Sequence, residues 1–207
     1  MANANTPRGL SPVGTISGAP FNQQGLLYAI ATDGSNTYAV GDAVKVGTGA
    51  DVNGVGYVTK AASTDTFLGV IVGFRVSDPG VSLVGTVIDN TKVYVPLSSG
   101  TRYAYVIVDP EQLYEIQGDA TGVAAADIGK NAGMTITANQ TTLSVSSPLS
   151  NAVINSSALI APGTTGSLAL PLQLIGLAQR PDNAPGAYAK VLVKLNKSQY
   201  GGQFGTA

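Results

Sequence analysis

The run FLGVIVGFRV, Phe67 to Val76, carries no polar side chain before Arg75, and YAYVIV, Tyr103 to Val108, has the same apolar character. A strand with one wet face alternates apolar and polar residues, whereas a strand buried between two layers is apolar on both faces. Both runs therefore read as core strands with packing partners above and below. A chain built around two such strands needs layers of sheet on either side.

Those layers are visible outward from the two runs. Leu26 to Ala61 breaks into short apolar stretches separated by Asp33-Gly34, Gly41-Asp42 and Asn53-Gly54, which are turn signals at hairpin spacing. VGTVID (Val84 to Asp89) and KVYVP (Lys92 to Pro96) flank a reversal at Asn90-Thr91. LPLQLIGLAQ, Leu170 to Gln179, and AYAKVLVKLNKSQ, Ala187 to Gln199, restore strand character towards the end. In the latter, Ala189, Val191, Val193 and Leu195 share one face, and Lys190, Leu192, Lys194 and Asn196 the other. The only helical signal is a short turn near Ala124 to Asn131, and no repeat of fixed period stands out.

The expectation is an all-β protein, an antiparallel β-barrel or jelly-roll-like sandwich with an extended N-terminal arm. Residues 1–25, with Pro7, Pro12 and Pro20 among several glycines and little periodicity, read as the arm. Residues 26–207 read as one β domain with a Ser/Thr/Asn-rich excursion at about 135–167, either a surface loop or an interaction loop carrying weak strands such as LSVS.

Composition narrows the chemistry. The chain of 207 residues has neither His nor Cys, which excludes Ser-His-Asp catalysis, thiol chemistry and the usual zinc sites. Lys and Arg number 11 against 12 Asp and Glu, and the cations are scattered, so no nucleic-acid surface is expected. Neither a secretory signal nor an apolar run long enough for a membrane span is expected from the sequence. Charged residues make up 11%, less than half the roughly 25% usual in soluble domains. Such a surface suits a protein largely covered by other subunits, although secreted β-proteins share this composition.

The densest cluster of acids is in VDPEQLYEIQGDATG, with Asp109, Glu111, Glu115 and Asp119. Paired carboxylates can cleave glycosides, but sugar clefts are usually lined with aromatics including Trp, which this chain lacks. Asp109-Pro110 is a turn initiator, because Pro110 fixes its own φ and Asp109 can accept a backbone hydrogen bond from two residues on. LYEI then resumes a strand with Leu113 and Glu115 on one face and Tyr114 and Ile116 on the other. A structural corner is the favoured reading. DIGKNAG lacks the Ser or Thr of a phosphate loop, and no D-x-D-x-D-G calcium loop occurs.

The order of segments adds a resemblance. GAPF (Gly18 to Phe21), YAVGDAVKV (Tyr38 to Val46), FLGVIVGF, KVYVPLSSG (Lys92 to Gly100), VDPEQLYEIQ, ADIGKNAG (Ala126 to Gly133), PLQLIGLAQRPDNAPG (Pro171 to Gly186) and VLVKLNKSQ (Val191 to Gln199) follow one another in a way that resembles the capsid decoration, or cement, proteins of tailed bacteriophages. The resemblance implies a non-enzymatic virion protein without cofactor. It would bind the major capsid protein on the outside of the expanded head, as a homo-oligomer with a trimer favoured over a dimer. Expected contact residues are Pro7, Arg8, Pro12, Pro20 and Phe21 of the arm, and Asp109, Glu111, Tyr114 and Glu115 of the acidic corner. The rival expectations are a host-glycan-binding fibre or adhesin domain using residues 135–167, and a carboxylate glycan hydrolase using Glu111 and Glu115.

Overall fold

The computed structural model describes residues 3–22, 24–30, 36–75, 94–95, 102–136 and 149–200. Within them the chain is all-β, as its sequence pattern requires. The strands are β1 (Ser11–Thr15), β2 (Leu26–Ile30), β3 (Tyr38–Ala39), β4 (Ala43–Ala50), β5 (Gly56–Lys60), β6 (Gly69–Arg75), β7 (Tyr94–Val95), β8 (Arg102–Ile107), β9 (Gln112–Gln117), β10 (Asn131–Thr135), β11 (Val153–Ile160), β12 (Leu172–Leu177) and β13 (Lys190–Leu195). The turn expected near Ala124 is a single 3-10 turn, Ala125–Asp127. VGTVID, Asn90-Thr91, Asp33-Gly34 and LSVS lie outside the described residues.

Strands β2, β5, β4, β6 and β8 close into a barrel, and a second sheet runs β1-β9-β13-β12-β10-β11. The second sheet also curls towards closure: a parallel bridge joins Gly118, just past β9, to Ile154 of β11. The Asp119 N–H donates to the Ile154 carbonyl at 3.2 Å in the same place. Strands β9 to β13 thus form a second, nearly closed five-stranded ring, joined between β9 and β11 at that one bridge, with β1 added beside β9.

The two rings have the same connectivity and the same register. In the first, the opening strand β2 runs parallel to β5 (Ile30 opposite Val58) and antiparallel to β8. In the second, β9 meets β11 in parallel at Gly118 and β13 antiparallel. Strand β4 lies between β5 and β6, as β10 lies between β11 and β12. Each ring carries a β-bulge at the same step of its fourth strand, between Ile71 and Gly73 in β6 and between Leu174 and Gly176 in β12. The turns leading into β4 and β10 also match. The Gly41 N–H donates to the Ile71 carbonyl at 2.9 Å and the Ile71 N–H to the Asp42 carbonyl at 3.0 Å; Gly129, Leu174 and Lys130 make the same two bonds at 2.9 Å each. One five-stranded unit therefore occurs twice in tandem.

The interiors correspond as well. Tyr28, Val44, Val58, Ile71, Ala104 and Val106 pack inside the first ring. Their register equivalents Ile116, Ala132, Ile154, Leu174, Val191 and Val193 pack inside the second. Val70 and Ile107 of β6 and β8 belong to the second cluster while Ile71 and Val106 belong to the first. These two strands are therefore the wall between the cores, which is why their sequences are apolar on both faces. The bulge after Ile71 resets the alternation, so Ile71 and Phe74, three residues apart, both enter the barrel.

The segment read as an arm is built into this fold. Strand β1 adds to the edge of β9 within the same chain, with Ser11 opposite Glu115 and Thr15 opposite Gln112. Leu10, just ahead of it, is 1% exposed and sits in the larger core cluster. Burial of one such side chain contributes roughly 1.5–3 kcal/mol. Further towards the start, Asn3 Nδ2 donates to the Ala184 and Ala187 carbonyls at 2.9 and 2.8 Å. The excursion expected at 135–167 likewise holds a regular strand, β11, paired with β10. Its Asn155, Ser156 and Ser157 interrupt the apolar run, which is why its strand character is faint in the sequence.

Candidate functional site

The acidic corner has a structural use for three of its four acids. Asp109 Oδ1 accepts the Glu111 N–H at 2.9 Å, the turn that Asp-Pro predicts. Asp119 fixes the far end of the hairpin: its Oδ1 accepts the Thr121 N–H at 2.9 Å and its Oδ2 the Ser156 N–H at 3.1 Å, tying β9 to β11. Glu115 is paired with the Arg180 guanidinium on the surface. Glu111 is exposed at the turn.

Glu111 stands in the turn ahead of β9, whereas Glu115 lies within the strand and is paired with Arg180. Among the described residues, no group of three or more Asp, Glu, His or Cys is placed to hold a metal ion. No helix among them is long and apolar enough to cross a membrane.

The expected contact residues divide into core and surface. Tyr114 is fully buried and belongs to the core, so its place in a contact surface is corrected. Burial, with the Asp109 charge adding to it, pushes its hydroxyl far above the ordinary tyrosine range. Phe21 is partly buried against the same core. Pro12 sits opposite Tyr114 in the β1–β9 ladder, next to a β-bulge where its missing N–H costs no ladder bond. Pro20 is exposed and bridges to Gly14. Pro7 is half-buried and Arg8 exposed.

Pro7 and Arg8 belong to a stretch that runs over a shallow crevice between the N-terminal segment and β9, lined by Thr6, Arg8, Ser11, Glu115, Gln117 and Lys190. Its polar groups are largely engaged across the seam. Gln117 Oε1 accepts the Thr6 N–H at 2.8 Å, its Nε2 donates to Asn5 Oδ1 at 2.9 Å, and Lys190 Nζ donates to the Ala4 carbonyl at 3.1 Å. The crevice is a joint between segments of one chain.

Sequence reasoning misses three features. Asp42 of the GDAV stretch is fully buried and paired with Lys60 at 2.9 Å; it also accepts the Ala39 N–H, while Lys60 donates to the Thr37 carbonyl. Only the spacing of one acid and one base within two apolar strands hinted at it. Asp51 closes the hairpin at Asn53-Gly54 and accepts a short bond from the Tyr103 hydroxyl. Although partial burial pushes its carboxyl up, the bonds from Tyr103, Val55 and Asn53 hold it below the usual range. The third feature is Leu26, half exposed at the start of β2. Comparison with family models, curated proteins and solved structures gives no match to this chain.

Proposed function

We propose that this is a capsid decoration protein, which binds the major capsid protein on the outer surface of an expanded phage head and holds neighbouring capsomers together. The observation that carries this reading is where the segments of the resemblance fall. YAVGDAVKV and ADIGKNAG are the matching turns of the two rings, FLGVIVGF and PLQLIGLAQ the matching bulged strands, and VDPEQLYEIQ the strand that receives β1. The segments just named are framework, and Asp109, Glu115 and Asp127 among them serve turns and seams, which supports a structural reading.

The physical mechanism is avidity on a repeating lattice. A homo-oligomer, a trimer in preference to a dimer, offers several weak contacts, and each contact after the first is intramolecular. Preferential binding to the expanded lattice stabilises it by mass action. A net charge of -1 limits repulsion between many copies crowded on one shell.

Sedimentation of the purified protein with undecorated heads, expanded and unexpanded, tests the proposal. Saturable binding to expanded heads at a fixed ratio to capsid protein is expected. Absence of binding to both forms refutes it.

A further inference from the structure

Asn53-Gly54 is the only Asn-Gly pair in the sequence, and it sits at the exposed tip of the β4–β5 hairpin. Gly54 has a φ of 78°, and the side of its backbone where a Cβ would stand is open, with nothing within 4 Å. An asparagine followed by glycine is the pair in which the next backbone nitrogen most easily reaches the side-chain carbonyl carbon, because no Cβ crowds the attacking atom. Such an intramolecular attack needs placement more than it needs a catalyst.

In the folded chain both reacting nitrogens are held. The attacking one, the Gly54 nitrogen, donates its hydrogen to the Asp51 carbonyl at 3.0 Å. The departing one, Asn53 Nδ2, donates to Asp51 Oδ2 and to the Tyr103 hydroxyl, each at 3.2 Å. Tyr103 in turn donates to Asp51 Oδ2, and it belongs to β8, with only 3% of its surface exposed. Asp51 Oδ1 accepts the Asn53 and Val55 N–H groups at 2.9 and 2.8 Å, which closes the turn. A hydroxyl anchored in the barrel wall thus restrains the carboxamide of an exposed turn. Cyclisation has to wait until the turn opens locally.

We propose that Asn53 is a self-modification site, deamidated through a cyclic imide at a rate governed by the Asp51–Tyr103 lock. The bond from the Gly54 nitrogen to Asn53 Cγ forms as the Cγ–Nδ2 bond breaks, and the Gly54 proton leaves with Nδ2 as ammonia. Water then adds to either imide carbonyl and reopens the ring to aspartate or isoaspartate. No oxidant, reductant or partner other than water takes part. The product has a carboxylate and no side-chain N–H at position 53, so both bonds from Nδ2 are lost and a like charge faces Asp51 across the turn. Isoaspartate also adds a carbon atom to the main chain, which displaces the Gly54 and Val55 N–H groups from Asp51. Modification therefore loosens the same hairpin tip that had restrained it. The site stands independently of the capsid reading.

The test incubates the full-length protein in mildly alkaline buffer, folded and in denaturant, and follows the peptide containing Asn53 by mass spectrometry with isoaspartate detection. Conversion to a mixture of aspartate and isoaspartate is expected, slower by about tenfold or more in the folded protein than in denaturant. Tyr103→Phe, which removes only the hydroxyl, is expected to convert about fivefold faster than the folded parent. Asp51→Ala releases the lock from the turn side and should accelerate conversion at least as much, so the reading survives if Tyr103→Phe does not fold. Asn53→Gln is expected to stay unmodified, since its cyclisation needs a larger ring. Amide exchange at Gly54 and Val55 should be faster in the converted protein. No conversion at Asn53 in the folded parent or its variants, conversion as fast folded as unfolded, or an unchanged rate in either folded variant overturns the inference.

Discussion

Gly41 and Gly129 occupy the same position in two copies of one turn, with φ of 93° and 91°, but only Gly41 has another part of the chain resting on it. A Cβ on Gly41 would overlap the Arg8 carbonyl oxygen, whereas a Cβ on Gly129 would meet nothing within 4 Å. The Leu10 N–H donates to the Gly41 carbonyl at 2.9 Å, so this glycine is where the N-terminal segment crosses the first ring.

Gly129→Ala is expected to cost about 1 kcal/mol, the ordinary penalty of a left-handed conformation. Gly41→Ala is expected to cost about 3 kcal/mol, because steric overlap adds to the same penalty. Denaturant unfolding gives both values. Limited proteolysis should also show faster cleavage between Thr6 and Thr15 in Gly41→Ala alone; equal behaviour of the two variants would mean that the crossing contributes nothing.

The Asp42–Lys60 pair is buried, with side-chain exposures of 0% and 2%. Asp42→Ala leaves the Lys60 ammonium with the Thr37 carbonyl and no counter-charge, and is expected to destabilise by about 3–5 kcal/mol. Replacing both residues by apolar ones of similar volume should recover much of that loss. The unfolding midpoints of the single and double variants decide the matter.

Glu115→Gln breaks a pair whose Arg180 side chain is 47% exposed. Solvent screening limits the effect on stability to less than about 1 kcal/mol. Head binding by this variant is expected to match the parent, since Glu115 belongs to a seam within the chain. A large loss of head binding without unfolding would place Glu115 on the capsid contact.

Asp127 receives bonds from Lys130 Nζ at 2.7 Å and the Ala124 N–H at 2.8 Å. The Lys130 bond, partly opposed by burial and aided by Ala124, holds its carboxyl below the usual carboxylate range. A carboxylate whose folded pKa is depressed stabilises the protein above its unfolded pKa, and the stabilisation fades as pH falls through the folded value. Stability should therefore drop below about pH 4, by less than about 1 kcal/mol for this partly exposed pair. In Lys130→Met that part of the acid loss should shrink, as measured by unfolding at pH 3 and pH 6.

The two-faced runs at Phe67 to Val76 and Tyr103 to Val108 were legible because a wall between two cores leaves no room for polar side chains. The alternation of Val191, Val193 and Leu195 was legible for the opposite reason, since one face of β13 is only partly covered. Strand β1 was not, because its Pro and Gly suit an arm and its apolar Val13 is exposed. The duplication is hidden because equivalent residues such as Tyr28 and Ile116, or Val44 and Ala132, share only apolar character. The connections between strands also differ in length from one ring to the other, so no period survives. The buried use of Asp42 needed the fold, since sequence cannot tell a surface turn from one packed beneath a crossing chain.

The tie between Asn3 and Ala184, residues 181 positions apart, has a consequence for the order in which the protein is made. At translation rates of about 5–20 residues per second, the first segment waits on the order of ten seconds or more for its partner to emerge. The first ring is complete in the chain as soon as β8 has been synthesised, and it can close while the second is still inside the ribosome. Over that interval the N-terminal segment has its contact at Gly41 of the first ring within reach, but not its partners on β9 and β13. Its scarcity of large apolar side chains and its prolines keep it soluble until β9 and β13 are ready to receive it.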